Sequence, residues 1–291
     1  MSSAKRFQLQ PKRRGYFFIF IFLGIVFQTG CVRWVNLFSQ DNFYYLPPHE
    51  KPFYLELKTP RGELLYCGIF HTNSPDDPQI GQIIKYWEEF QPTLAFCEGK
   101  KWPPAATLQE SIRRYGEQGL ISFLAAQDGI KLKCLDLSLT RQAVFLSHYF
   151  FPGHIKIYYV LREVVTRRRV GLQEEEGIFY EKLLTELSRI KGFDVYPLNL
   201  IELEKMLGFI FPELENWRCI PSFYFYNSQK GKFLVQIHRY LQKFRNRHMA
   251  QALLAGLKRR ERVFAVCGRS HVVSQIPLLL ANMKEGKWRV K

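Results

Sequence analysis

Two short stretches, far apart in the chain, restrict its fold more than any other feature. One is Tyr66-Cys67-Gly68-Ile69-Phe70-His71 and the other is Val266-Cys267-Gly268-Arg269-Ser270-His271. Each reads as a buried apolar strand ending in Gly-x-x-His, which lifts an imidazole out of the carboxyl end of a sheet. That edge is where open α/β sheets hold their ligands. A third apolar run, Pro92-Thr93-Leu94-Ala95-Phe96-Cys97-Glu98-Gly99, stops at a carboxylate. His71, His271 and Glu98 at three strand ends make a metal-site or an acid–base constellation. The rest of the chain must bring those ends together.

The order of elements supplies a way to do so. Segments 53–58 and 63–70 read as a hairpin across Thr59-Pro60-Arg61-Gly62, a proline and glycine pairing suited to a tight turn. Asp77-Pro78 then opens a helix carrying Ile80, Ile83, Ile84 and Trp87 at helical spacing. This helix leads back to the strand ending at Glu98, a crossover that implies parallel strands. Thr107-Leu108-Gln109-Glu110 has the form of a capping box and starts a helix toward Ala126. A third core strand is expected over 130–137, and Asp136 near its end is expected to cap or to face solvent.

From 140 to 214 the pattern turns helical, with one stripe of Tyr158, Leu161, Val164 and Val165 and another of Phe179, Leu183, Leu184 and Leu187. A helical insertion over about 140–228 is therefore expected to cover the crevice; His148 and His154 within it are assigned to no site. A long helix over 232–260 has Leu241, Phe244, Met249, Leu253 and Leu257 on its core side, which leaves Arg245 and Asn246 near the rim. There an arginine can clamp an anion or hold Glu98, and an asparagine can donate to a developing oxyanion. On periodicity alone, a salt-bridged surface arginine is the simpler reading of Arg245. A strand over 262–267 and an apolar helix through Met283 complete the fold. The expected class is α/β, with a mixed, mainly parallel central sheet flanked by helices.

Residues 1–31 carry a separate message. Lys5, Arg6, Lys12, Arg13 and Arg14 precede the uncharged run 16–27, and Gln28-Thr29-Gly30-Cys31 follows. A basic stretch, a short apolar core and a small residue describe a secretory signal. The run is shorter than a membrane span of about 20 residues. Thr-Gly-Cys also resembles the bacterial lipobox, in which Cys31 is lipidated; an uncleaved signal anchor is the alternative. Either attaches an exported body, 53–291, to the membrane of the cell envelope through the linker 32–52.

The remaining cysteines, Cys67, Cys97, Cys134, Cys219 and Cys267, follow no disulfide-scaffold or zinc-ribbon spacing. They are expected to be packing thiols, without a structural zinc. The net charge of +16 invites a nucleic-acid reading. Part of it lies in the signal region, and Arg167-Arg168-Arg169 and Lys258-Arg259-Arg260 fall at expected helix ends, where cations suit the dipole. With no nucleic-acid motif in the chain, no nucleic-acid partner is expected; a face toward anionic phospholipid or plain solvent accounts for the charge.

In chain order, Gly68-x-x-His71, Glu98, Arg245-Asn246-x-x-Met249 and Gly268-x-x-His271 resemble the TraB/PrgY/GumN family. Its relatives include the Tiki proteases and, more distantly, erythromycin esterases and ChaN-like haem-binding lipoproteins. The resemblance spans roughly 54–283. It implies a pocket in which His71, Glu98 and His271 bind a divalent transition metal, zinc, manganese, cobalt or iron. Such an ion lowers the pKa of bound water and polarises the carbonyl of a peptide or ester substrate. Glu98, Arg245 and Asn246 are the implied catalytic residues, the last two stabilising charge. The esterase relatives imply a metal-free alternative with one histidine as base and Glu98 as its partner. The ChaN-like relatives imply carriage of haem or a metabolite without turnover. Arg269 and Ser270 depart from the small residues usual in the second motif and put a long cation beside the site.

Overall fold

The computed structural model describes residues 52–170, 176–229, 231–282 and 286–290. The expected signal, Cys31 and the linker up to residue 51 lie outside the described residues.

Six strands form one sheet in the order β4-β3-β5-β2-β1-β6. β1 (Phe53–Thr59) and β2 (Gly62–Ile69) pair antiparallel as the expected hairpin. Thr59 Oγ1 fastens the turn, accepting from the N–H groups of Arg61 and Gly62 at 3.2 and 3.0 Å. β2 then pairs parallel with β5 (Arg262–Gly268), β5 with β3 (Leu94–Cys97), and β3 with β4 (Lys131–Cys134). Four neighbouring strands therefore end at the same edge, which is the mainly parallel sheet the crossover called for. β6 (Lys287–Val290), which the sequence reading did not foresee, lies antiparallel on β1. The outer strand β4 carries Lys131 and Lys133, and β6 carries Lys287 and Arg289.

Alternation along the strands sorts the core into two layers. Val263, Ala265 and Cys267 of β5 face α7 (Lys232–Lys258) and α8 (Arg269–Ala281), meeting Met249, Leu253, Leu257, Val272 and Leu279. Phe264 and Val266 face α1 (Pro78–Phe90) and α2 (Leu108–Gln127), meeting Ile80, Ile83, Trp87, Leu120 and Ile121. Both of these latter helices start where their caps predict. Asp77 accepts from the Gln79 N–H ahead of Pro78, and Thr107 accepts from the Glu110 N–H.

Between β4 and β5 stands the expected helical block, with α3 (Leu139–Ser147), α4 (Pro152–Val170), α5 (Glu176–Ser188) and α6 (Leu200–Ile210). Tyr158, Leu161, Tyr180, Leu184, Leu203 and Leu207 make a core of its own, to which the amino half of α7 adds Leu234, Ile237 and Leu241. The carboxyl half of α7 packs on the sheet. One helix thus belongs to both cores and sets the block against the site end of the sheet. Among the described residues no helix is long and apolar enough to cross a membrane. Cys67, Cys97 and Cys267 are buried free thiols as expected, whereas Cys134 and Cys219 are exposed.

Candidate active site

The carboxyl ends of β2, β3 and β5 converge on the carboxylate of Glu98. The Gly268 N–H donates to its Oε2 at 2.7 Å and Arg245 Nη2 donates to Oε1 at 3.1 Å. His271 Nε2 stands 3.4 Å from Oε1, and His71 Nε2 stands 3.9 Å from Oε2. The three residues singled out at strand ends are therefore together. Their exposure differs: the His71 side chain is 35% accessible, those of Glu98 and His271 only 13% and 10%. His71 is the imidazole that solvent reaches.

Arg245 is buried, not a surface cation. It donates through Nε to Asp136 Oδ1 at 2.9 Å and through Nη2 to Asp136 Oδ2 at 2.8 Å as well as to Glu98. Asp136 was expected at a cap or in solvent. It is instead the second carboxylate of this clamp, because the chain keeps pairing after the shortened strand β4: the Leu135 and Asp136 N–H groups donate to Cys97 O and Glu98 O. Burial alone would raise the pKa of Glu98, but His271, Arg245 and His71 outweigh it and hold the carboxyl well below its usual range.

Each histidine is oriented from behind. His71 Nδ1 meets Glu117 Oε1 at 2.6 Å, and this hydrogen bond is the main reason the pKa of His71 rises above its ordinary value. His271 Nδ1 meets Asn246 Oδ1 at 2.7 Å. With Nδ1–H donated to an oxygen, the neutral ring keeps its lone pair on Nε2, the atom turned toward Glu98. Asn246 Oδ1 also accepts from Gln275 Nε2 at 3.2 Å, and Gln275 Oε1 accepts from the Tyr66 hydroxyl at 3.1 Å. The oxygen of Asn246 is thus occupied in positioning His271. Met249, one turn on, receives Gln275 Nε2 on its sulfur at 3.3 Å, so the Arg-Asn-x-x-Met run is one face of α7 turned to the site.

Glu117 was not anticipated. It sits within α2 directly after Gly116, whose φ of 62° and ψ of −150° break the helix there. Such a backbone suits only glycine, and the kink turns Glu117 under His71. Two glycines, Gly116 and Gly119, bracket the residue within an otherwise helical pattern, and that was the one signal in the sequence that pointed to it.

The motif glycines have steric reasons. A Cβ on Gly268 would lie 2.9 Å from His71 Nε2 and 3.3 Å from Glu98 Oε2. A Cβ on Gly68 would lie 2.9 Å from the Cα of Arg269 and 3.0 Å from Phe53 O. One glycine makes room for the site, and the other lets the end of β2 approach the start of α8. The two histidines themselves differ: His71 is in a loop, and His271 is in the first turn of α8.

His71, Glu98 and His271 carry the donor types of a divalent transition metal site, with an oxygen behind each Nδ1 as ligating imidazoles have. Both oxygens of Glu98 already receive a protein donor, and among the described residues no three such side chains close on one point as they stand. No family model matches the chain, and neither a curated protein nor a solved structure matches it.

Proposed function

We propose that the protein is a hydrolase that adds water to the carbonyl carbon of an ester or amide, with His71 as the base. One observation carries the reading. The accessible imidazole of His71 is held by the buried carboxylate of Glu117 at 2.6 Å, with its Nε2 toward an ionised Glu98. Geometry of this kind sets a general base before the substrate arrives.

Water beside His71 gives a proton to Nε2 as its oxygen bonds to the carbonyl carbon. Glu117 and Glu98 flank the imidazolium that forms and stabilise its charge. The carbon–oxygen or carbon–nitrogen bond then breaks, and His71 passes the proton to the leaving group. Arg245 keeps Glu98 ionised and fixed, and Asn246 keeps His271 against the other side of that carboxylate. α8 begins here without a side-chain cap, so its first N–H groups are available to the carbonyl oxygen as it gains charge.

The test is hydrolysis of p-nitrophenyl esters and of a peptide library by the purified body from residue 52 onward. Wild type is expected to turn over one of these classes, with His71→Ala slower by at least about 100-fold. Turnover is expected to survive a chelator. A wild-type rate no higher than that of His71→Ala defeats the proposal.

A second reading is favoured by the oxygen behind each Nδ1. His71, Glu98 and His271 would then hold zinc, manganese, cobalt or iron, which supplies an acidified water. Near-stoichiometric metal in the purified protein, activity lost on chelation and restored by one of these ions would select it. The resemblance to the TraB/PrgY/GumN family agrees with either form. From the basic and apolar residues 1–31 we infer that this body is exported and held at the cell envelope; recovery in the soluble cytoplasmic fraction would refute that.

A further inference from the structure

The hydrolytic reading leaves one charged side chain at the site unused. Arg269 is the first residue of α8, two positions before His271. It lays its guanidinium over the ring of Phe70, with Cζ 3.8 Å from the centroid. Phe70 immediately precedes His71, and its backbone N–H is pinned by Gln79 Oε1 of α1 at 2.8 Å. The guanidinium plane is therefore held against the residue that precedes the accessible histidine. Arg269 Nη1 is buried and has no hydrogen-bond acceptor among the described residues.

A guanidinium stacked by its face keeps its edge for a planar anion, and a buried cationic N–H left without an acceptor is costly. The neighbouring carboxylates do not supply one: Glu98 and Asp136 bond Arg245, and Glu117 bonds His71.

We propose that Arg269 selects substrates whose acyl part carries a carboxylate or phosphorus oxyanion near the scissile carbonyl, its guanidinium edge receiving that anion while His71 serves the carbonyl. The inference rests on the hydrolytic reading and names its substrate class. It is tested with three p-nitrophenyl esters, of succinate, of 3-phosphonopropanoate and of the neutral 4-methylpentanoate, on wild type, Arg269→Gln and Arg269→Lys.

Wild type is expected to prefer one anionic ester over the neutral one by about 10- to 100-fold in kcat/KM, the worth of a charge-assisted hydrogen bond. The favoured ester identifies which oxyanion is recognised. In Arg269→Gln the preference collapses, chiefly through KM, and Arg269→Lys restores part of it. No preference in wild type, or an equal loss on all three esters, overturns the proposal. Binding of succinate and of inorganic phosphate, followed by calorimetry without turnover, separates the two ideas. If no ester is hydrolysed yet one anion binds wild type and not folded Arg269→Gln, the anion site stands and the hydrolase reading falls. If neither anion binds, the site falls too.

Discussion

At the scale of single residues, the decisive pairing is His71 with Glu117. Glu117 is 4% exposed, so its charge is only weakly screened and its hold on the imidazole is firm. Glu117→Gln keeps the shape and removes the charge that supports an imidazolium. Turnover is expected to fall by about 10- to 100-fold, the usual cost of losing a partner behind a working histidine. The melting temperature should move little, and calorimetry beside the rate assay checks both. A rate unchanged in folded Glu117→Gln would separate Glu117 from the chemistry. His71, Glu98 and His271 were legible because each ends an apolar run and so projects at a predictable edge. Asp136 was not, because its run stops pairing as a strand at Cys134 yet keeps its backbone bonds to Cys97 and Glu98.

At the scale of elements, α2 shows how a broken rule builds the site. A regular helix through Gly116 would send Glu117 elsewhere, and no periodicity argument foresees the break. A Cβ on Gly116 would also meet Thr72 O at 2.8 Å, in the loop that carries His71. Gly116→Ala is expected to cost about 1–3 kcal/mol and to lower the melting temperature by roughly 3–10 °C. Gly81→Ala in α1, where a Cβ meets nothing within 4 Å, is the contrasting case and should be neutral or stabilising. Equal melting of the two variants, followed by circular dichroism, would refute the steric account. α1 and α2, whose caps were read from the sequence, began where the sequence placed them. The short strand β6 escaped notice because four residues carry too little alternation to stand out from a loop.

For the molecule as a whole, the core of the helical block is expected to be sensitive to acid. His238 of α7 lies there, with Nδ1 3.1 Å from the Tyr158 hydroxyl. Burial first, then the charges of Arg162, Arg245 and His271, push its pKa down to about 3. The unfolded chain takes up a proton near pH 6.5 and the folded one does not, so this group's stability is fully present above that pH. It is lost progressively as pH falls from about 6.5 toward 3. At pH 5 the loss is about 2 kcal/mol. His238→Gln should flatten the melting temperature between pH 7 and 5, and identical slopes for wild type and variant would exclude His238 as the cause. That α7 serves two cores was hidden in the sequence, since one continuous amphipathic stripe does not reveal which partner covers each half.

The two outermost strands show how copies of the molecule would meet. Among the described residues, one edge strand carries Lys131 and Lys133 and the other Lys287 and Arg289, the last paired with Glu56. A second sheet approaching either edge would bring cations against cations at strand spacing, which disfavours the first hydrogen bond between copies. Where copies crowd together, the charges of these edge strands would resist extension of the sheet by its own kind.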